Sequence, residues 1–166
     1  MDTAEFWIKA LELQKHPEGG WFKEVYRSEG VIPFNGQSSE FNGDRNYSTS
    51  IYYLLEGTDF SAFHKIKSDE LWHFYEGNSP VEIVQIDKNI EKERLGRAIQ
   101  SNEHFQIVIP KNIWFAAHLL NKNGFALLGC TVSPGFNFED FELADKTLLK
   151  KYPELEKEIF PFLSDS

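Results

Sequence analysis

The sequence of 166 residues contains a single cysteine, Cys130, and a single methionine. One cysteine excludes an intrachain disulfide and a metal cluster held by several thiolates. Cys130 lies inside the apolar run 125–132, so we predict a buried thiol on a β-strand. The N-terminus carries Asp2 and Glu5 and no long apolar run, so we expect neither a signal peptide nor a membrane span. We therefore predict a soluble, cytoplasmic protein that does not act at membranes.

Basic residues are also scarce. The chain has 17 Lys and Arg against 26 Asp and Glu, which gives a formal net charge of −9. Proteins that bind nucleic acids need clustered positive charge to replace counterions, and the sequence has no block of Lys or Arg. We predict no nucleic-acid partner. Aromatic residues, by contrast, make up 15% of the chain, which favours a β-rich interior filled by rings.

Alternating apolar and polar residues between turn signals predict eight or nine short strands. We predict hairpins from the pairs 81–87 with 90–95 and 113–120 with 125–132. Further strands are expected at 21–27, 48–56 and 104–109. Regular spacing of this kind indicates a sandwich or a barrel.

The organisation that follows is one domain spanning residues 1–166. We predict an N-terminal helix at 3–15 with Asp2 as its cap, a barrel core at about 20–133, and a helical tail at 139–160. Residues 28–47 form a long segment rich in glycine and asparagine. Loops of this length in compact domains are often lids, so packing over a pocket and packing on the domain itself both remain open.

The stretch 57–77 contains the main candidates for reactive side chains. His64 precedes a polar turn at 67–69, and Glu70 and His73 follow it. Because side chains alternate along a strand, His64 and Glu70 converge on one interior only if the segment folds back on itself. We predict two strands joined by this turn. His73 lies an odd number of positions after Glu70, so it is predicted to face the other way.

This stretch resembles the first motif of the cupin superfamily, which has a glycine, two histidines, a glutamate and a closing glycine. Ala62 stands where the first histidine is usual. Residues 110–115 resemble the second motif, with Pro110 retained and Phe115 in place of the usual histidine. Four further blocks resemble the cupin-5 branch of uncharacterised single-domain cupins, namely 18–22, 51–55, 68–74 and 131–136.

The resemblance implies a mostly β fold: a double-stranded β-helix, or jelly roll, with a pocket in the barrel mouth and commonly a homodimer. It implies no settled activity. Cupin metal sites usually use three histidines and a glutamate, whereas only His64 and Glu70 match here. A divalent metal at these two residues is not favoured, and we predict no cofactor.

Three functions remain open. In the first, His64 is a base paired with Glu70 for metal-independent proton transfer on a sugar or sugar nucleotide. Cupin-fold dTDP-sugar epimerases work in this way, with a tyrosine as the acid; Tyr26, Tyr53 and Tyr75 are candidates here, and Tyr53 is preferred. The second is non-catalytic binding of a small, sugar-like metabolite, and the third is a degenerate metal-dependent cupin.

A pocket of either kind needs side chains that contact the ligand. Aromatic rings that alternate with polar groups on the predicted inner face fit a small-molecule site. The predicted ligand-binding residues are Glu24, Tyr26, Trp72, Phe74, Trp114 and Phe115.

Overall fold

A computed structural model describes residues 2–34 and 40–164. Its strands are β1 (Gln14–Lys15), β2 (Trp21–Arg27), β3 (Val31–Ile32), β4 (Arg45–Asn46), β5 (Thr49–Glu56), β6 (Phe60–Lys65), β7 (Asp69–Gly77), β8 (Val81–Ile86), β9 (Ile90–Leu95), β10 (Glu103–His104), β11 (Gln106–Ile109), β12 (Trp114–Leu119), β13 (Phe125–Ser133) and β14 (Glu142–Leu143). The helices are α1 (Ala4–Ala10), α2 (Thr147–Lys151) and α3 (Glu156–Ile159), with 3₁₀ turns at Ile99–Ser101, Phe138–Asp140, Pro153–Leu155 and Phe160–Phe162.

Two six-stranded sheets face each other. The first has the order β1-β2-β5-β13-β7-β11, and the second has the order β10-β9-β8-β12-β6-β14. Strands that are distant in the chain alternate within each sheet, which is the arrangement of a jelly roll. The predicted mostly β, jelly-roll fold is therefore confirmed.

The predicted hairpin of β8 and β9 is present, and the two strands pair antiparallel. The predicted hairpin of β12 and β13 is wrong, and the two strands predicted within 57–77 are present as β6 and β7 but do not pair with each other. The strands β6 and β7 belong to different sheets, and so do β12 and β13. Each connecting turn carries the chain from one sheet to the facing one, a step whose turn residues look the same in sequence as those of a hairpin.

The space between the sheets is filled by large side chains from both inner faces. Tyr53, Trp72 and Leu128 from the first sheet pack with Ile83 and Phe115 from the second, and all are almost completely buried. The burial of these rings and branched side chains is the main contribution to the free energy that holds the sheets together.

The N-terminal helix is shorter than predicted. It begins after Thr3, whose hydroxyl accepts a hydrogen bond from the backbone N–H of Phe6, so Thr3 rather than Asp2 is the cap. It ends at Ala10, not at residue 15. Glu12 has a φ of +54°, a left-handed conformation that stops a helix, and β1 then pairs with β2.

Helices also cover the outer faces of both sheets. The predicted helical tail is present as α2, α3 and the neighbouring 3₁₀ turns, and its apolar residues, Ile159 among them, pack on the second sheet around Phe63 and Trp114. Helix α1 covers part of the first sheet around Leu54 and Leu127. None of the helices within 2–34 and 40–164 is long and apolar enough to cross a membrane.

The long segment 28–47 contains a small two-stranded sheet of β3 and β4. Phe34 is half exposed and the Arg45 guanidinium lies over the Phe41 ring. Neither ring lines the pocket described below. The part of the predicted loop at 35–39 lies outside the described residues.

Candidate functional site

A cavity of about 310 Å³ opens between the two sheets. Its walls combine aromatic rings with a small number of ionisable groups, the usual composition of a small-molecule site. The lining residues are His16, Glu18, Phe22, Glu24, Arg27, Thr49, Ile51, His64, Ile66, Glu70, Cys130, Val132, Phe136, Asn137, Phe138 and Phe141.

His64 and Glu70 reach this cavity from opposite sides. His64 is near the end of β6 in the second sheet, and Glu70 is near the start of β7 in the first. Both line the pocket, but no ion pair or hydrogen bond of normal geometry joins them. The carboxylate that contacts His64 is Glu18, whose Oε2 lies 3.1 Å from Nε2 of the imidazole. The expected His64–Glu70 pair is therefore a His64–Glu18 pair.

The tautomer of His64 follows from its second contact. Its Nδ1 lies 2.7 Å from the carbonyl oxygen of Ala62, and a carbonyl can only accept, so Nδ1 carries a proton. In the neutral ring, Nε2 is then an acceptor that faces the Glu18 carboxyl group. Two acceptors at 3.1 Å require a proton between them, so Glu18 and His64 share one.

A tight turn positions Glu18. Its backbone N–H donates to Nδ1 of His16, and its Oε1 accepts from the Ser61 hydroxyl at 3.0 Å. The following Gly19 has a φ of +110°, and a Cβ there would lie 2.1 Å from the carbonyl oxygen of Phe60. Only glycine fits so close to the neighbouring strand. The turn consequently holds Glu18 next to β6, where its carboxyl group contacts Ser61 and His64.

Glu70 is the least constrained acid of the site. It is 8% exposed, and no hydrogen bond of normal geometry links its carboxyl to another described residue. Burial, and then the nearby Glu18 carboxylate, raise the pKa of Glu70 to about 8. The Trp72 indole and the Cys130 thiol act in the opposite direction, although the indole N–H forms no hydrogen bond of normal geometry within 2–34 and 40–164. At neutral pH Glu70 is mainly a carboxylic acid.

Burial shifts the other ionisable groups toward their neutral forms as well. It lowers the pKa of His64 to about 4, although the hydrogen bond to the Ala62 carbonyl favours the charged ring. It raises the pKa of Glu18, and it lowers the pKa of His16. The buried side chains of His16, Glu18, His64 and Glu70, which form the inner end of the pocket, are therefore mostly uncharged and carry exchangeable protons.

A β-bulge determines which residues of β2 face the pocket. Glu24 pairs with Ile51 and Tyr26 with Ser50, so Val25 is an extra residue. The insertion reverses the alternation, so Tyr26 faces solvent and Arg27 joins Glu24 at the pocket edge. The prediction that Tyr26 shares a face with Glu24 is wrong for this reason.

The segment after β13 supplies the aromatic wall of Phe136, Phe138 and Phe141, whose rings contact one another edge to face. A buried ion pair holds this segment in place. Arg45 donates from Nε and from a terminal nitrogen to the two carboxylate oxygens of Asp140, at 2.6 and 2.8 Å. Paired N–H···O bonds of this kind are both strong and directional.

Three predicted site residues line the pocket: His64, Glu70 and Glu24. The structure does not bring the others to its wall. Those residues are Tyr53, Tyr26, Trp72, Phe74, Trp114 and Phe115.

Most of these side chains lie in the protein interior instead of lining the pocket. The Tyr53 hydroxyl donates to the Gly19 carbonyl at 2.8 Å, so it supports the turn that carries Glu18. Trp72 and Phe115 fill the core between the sheets, and Trp114 lies in the cluster beneath the C-terminal helices. Phe74 packs at the edge of the core. Alternation predicted the faces of these strands but not how deep the core extends.

His73 faces away from the pocket, as the strand alternation predicts. Its ring stacks on Tyr75, and its Nε2 lies 3.4 Å from the Thr131 hydroxyl on the outer face of the sheet.

The residues do not fit the metal site that is usual in the cupin superfamily. Ala62 is buried where a ligand is usual, and the Phe115 ring centroid lies 4.1 Å from that of His64. Both nitrogens of His64 are engaged, by Ala62 and Glu18. Within residues 2–34 and 40–164, no three His, Cys, Asp or Glu side chains are grouped so that they could hold a metal ion.

Sequence reasoning missed several lining residues. Glu18 and Phe22 belong to the block 18–22 that carries part of the family resemblance, and a polar residue before two glycines was the available signal. Phe136 likewise belongs to the block 131–136. Missed residues that carry no motif of their own include His16, Arg27, Phe138 and Phe141.

Comparisons with known proteins agree with this architecture. An uncharacterised protein of Saccharomyces cerevisiae is 34% identical over 164 residues, which cover 93% of this chain and 79% of that protein. A hypothetical protein from Leishmania major superposes with a TM-score of 0.90 at 30% identity, over 99% of this chain and 100% of the other. A protein from Shewanella oneidensis superposes with a TM-score of 0.88 at 34% identity, with 100% of both chains covered. The family model described as cupin superfamily (DUF985) matches residues 5–144, and the chain belongs to this family.

Proposed function

We propose that this cupin binds a small molecule in the pocket and moves protons to and from it without a metal, as an isomerase or epimerase does. The observation that carries the proposal is the convergence of two kinds of proton-bearing group on one cavity. The Glu18–His64 pair, 3.1 Å apart, shares a proton, and Glu70 is buried with no hydrogen-bonding partner of normal geometry among the described residues.

The chemistry balances within the pocket. Glu70, as a carboxylic acid, donates a proton to the carbonyl oxygen of the ligand. Glu18 accepts the proton from the neighbouring carbon while the proton it shares with His64 moves to Nε2, so a C–H bond breaks and an enediol forms. The pair gains the positive charge that Glu70 gives up, and the charge of the site as a whole is unchanged. The pair then returns a proton to the same carbon, on either face, or to the adjacent carbon, while Glu70 takes back a proton from an enediol hydroxyl group and the carbonyl group re-forms.

The pocket suits a small, sugar-like ligand. Its volume of about 310 Å³ is at the lower end of the usual range for ligand sites. The rings of Phe22, Phe136, Phe138 and Phe141 offer flat apolar faces, while the acids offer hydrogen bonds to hydroxyl and carbonyl groups. Sugars present both kinds of surface.

Deuterium exchange tests the proposal across a panel of candidate substrates. The protein is incubated in D₂O with small aldoses, ketoses and hydroxyketones, and proton NMR records loss of the signal next to each carbonyl. We expect exchange with at least one compound, and a rate lower by about 100-fold or more in His64→Asn and in Glu70→Gln.

Glu76→Gln is the matched control, because Glu76 lies on the same strand as Glu70 but forms an exposed ion pair with Arg97. It should exchange at the wild-type rate. Absence of exchange across all compounds, or an unchanged rate in His64→Asn, would refute proton transfer. Stabilisation by a compound that does not exchange would instead support binding alone, which the ring-lined walls favour as the second function.

We also infer a homodimer, formed through the outer face of the first sheet. Tyr75 and Val108 are about half exposed on that face, where Val108 pairs with Leu71 across β11 and β7. Exposed apolar side chains on the same face of a sheet are typical of interfaces. Light scattering should give twice the monomer mass for the wild type and the monomer mass for Val108→Glu. Ile99→Glu, at an exposed site elsewhere, should remain dimeric.

A further inference from the structure

We propose that the pocket selects uncharged ligands and excludes phosphorylated and carboxylated ones, and that the Glu24–Arg27 pair at its edge enforces this selection. The inference rests on the proposed function, since it names the substrate class for the same pocket. It narrows the expected sugar or sugar nucleotide to a compound with hydroxyl and carbonyl groups and no anionic group.

The first argument is the charge of the lining. Arg27 is the only lysine or arginine among the described lining residues, whereas Glu18, Glu24 and Glu70 supply three carboxyl groups. Recognition of a phosphate or carboxylate needs a free cation or a cluster of backbone N–H groups. An anion in this pocket would meet a single guanidinium, while the carboxyl groups, ionised or protonated, offer it no positive charge.

The second argument is that this guanidinium is already engaged. Arg27 donates from Nε and from one terminal nitrogen to the two carboxylate oxygens of Glu24, at 2.9 and 2.7 Å. Its other terminal nitrogen donates to the side-chain oxygen of Asn46 at 2.9 Å and to the carbonyl oxygen of Phe136 at 3.1 Å. Of the five N–H groups of an arginine, four are therefore used by the protein. An incoming anion would have to displace Glu24 from a paired contact.

The third argument concerns the inner end. Glu70 is the one lining acid that no described residue pairs with, and it is 92% buried, given an exposed fraction of 8%. A buried carboxyl group in this position donates to a carbonyl oxygen as an acid, or accepts from a hydroxyl group as a carboxylate. Both partners belong to neutral, oxygen-rich molecules. An anionic group at the same place would be repelled whenever Glu70 ionises.

The test changes the pair and uses inorganic phosphate as the probe. Glu24→Gln keeps the shape of the side chain but removes its charge, so Arg27 becomes free to bind an anion. Melting temperatures are measured in phosphate and in chloride at matched ionic strength, over a range of concentrations. We expect phosphate to bind Glu24→Gln at least ten-fold more tightly than the wild type, and the gain to disappear in the double variant Glu24→Gln/Arg27→Gln.

Glu12→Gln is the matched control. Glu12 forms an ion pair with Lys23, at 2.6 Å, outside the pocket, so this variant makes the same change in net charge and also frees a cation. Its response to phosphate should equal that of the wild type. The difference between the two variants is therefore corrected for the general stabilisation that phosphate gives to folded proteins.

Two results would overturn the proposal. One is a wild-type protein that phosphate stabilises more than it stabilises Arg27→Gln, because Arg27 would then already bind anions. The other is a Glu24→Gln variant that gains nothing over Glu12→Gln. Neither readout depends on turnover. If proton exchange fails while the phosphate result holds, the charge selection stands and the proposed reaction does not.

Discussion

Nε2 of His64 lies 3.1 Å from Oε2 of Glu18, and the two side chains share one proton. The contact joins the end of β6 in the second sheet to the turn between β1 and β2 of the first sheet. Together with the Ala62 carbonyl, it fixes the tautomer of the histidine. The strand pattern predicts a different partner, Glu70, which is nearer to His64 in the chain.

The protonation of His64 can be observed directly. Nitrogen NMR of the imidazole should show a proton on Nδ1 and none on Nε2 in the neutral ring, and the ring should stay neutral down to pH values near its pKa of about 4. In the unfolded chain the His64 imidazole takes up a proton near pH 6.5. Between pH 6.5 and 4 the unfolded state therefore binds more protons than the folded state, and the protein loses stability as the pH falls. His64→Asn should flatten the stability profile in that range. Titration of the His64 ring near pH 6.5 would contradict the assignment.

Glu70 has the opposite effect on the pH profile. Its pKa rises from 4.5 in the unfolded chain to about 8 in the folded one, so the folded state binds more protons between these values and loses stability as the pH rises. Glu70→Gln removes this loss. Between pH 5 and 8 its free energy of unfolding should gain on that of the wild type by up to ~4 kcal/mol.

Urea unfolding at several pH values measures this difference. Glu76→Gln serves as the control, since Glu76 forms an exposed ion pair with Arg97 and should give a profile parallel to the wild type. A Glu70→Gln profile with the wild-type slope between pH 5 and 8 would mean that Glu70 is ionised in the folded protein.

The turn that carries Glu18 depends on Gly19. A Cβ at this position would lie 2.1 Å from the carbonyl oxygen of Phe60, and φ is +110°. Gly19→Ala should therefore destabilise the protein by about 3 kcal/mol and move Glu18 away from His64. Gly57→Ala is the comparison, because φ there is +60° and the nearest contact is 3.8 Å, so we expect a loss of about 1 kcal/mol. Equal losses in the two variants would show that the close approach at Gly19 is relieved easily.

The aromatic wall depends on Asp140. Asp140→Asn leaves the buried Arg45 guanidinium without its paired carboxylate, and we expect a loss of about 3 kcal/mol in urea unfolding. Glu139→Gln, next to it, should change stability by less than about 0.5 kcal/mol, because that side chain is 63% exposed and lies 3.5 Å from Arg45. If the two variants lose the same amount, the ion pair does not hold the segment.

Much of the fold was predictable because strand alternation is a local signal. The strands β2, β5, β8, β9, β12 and β13 lie where the pattern of apolar residues places them. The membership of a strand in a sheet is not local. A polar turn such as 67–69 can return a strand beside its predecessor or carry it to a facing sheet, and the burial of both sheets decides between them.

The site was predictable only in part for the same kind of reason. His64 and Glu70 alternate correctly along their strands, so both reach the pocket. Glu18 lies in a turn, where no periodicity indicates direction, and its contact with His64 depends on how the turn packs on β6. Arg27 replaces Tyr26 because of the extra residue Val25, and the sequence carries no local signal for such a bulge.

The crossing from β6 to β7 also bears on how the protein matures during synthesis. His64 and Glu70 leave the ribosome early, but their neighbours in the two sheets include β14 and β13, which are made much later. Until those strands pair, both side chains remain in water and ionise as they would in a short peptide. The raised pKa of Glu70 and the lowered pKa of His64 therefore require strands that are made after them, and a chain that ends before β13 contains both residues without their shifted pKa values.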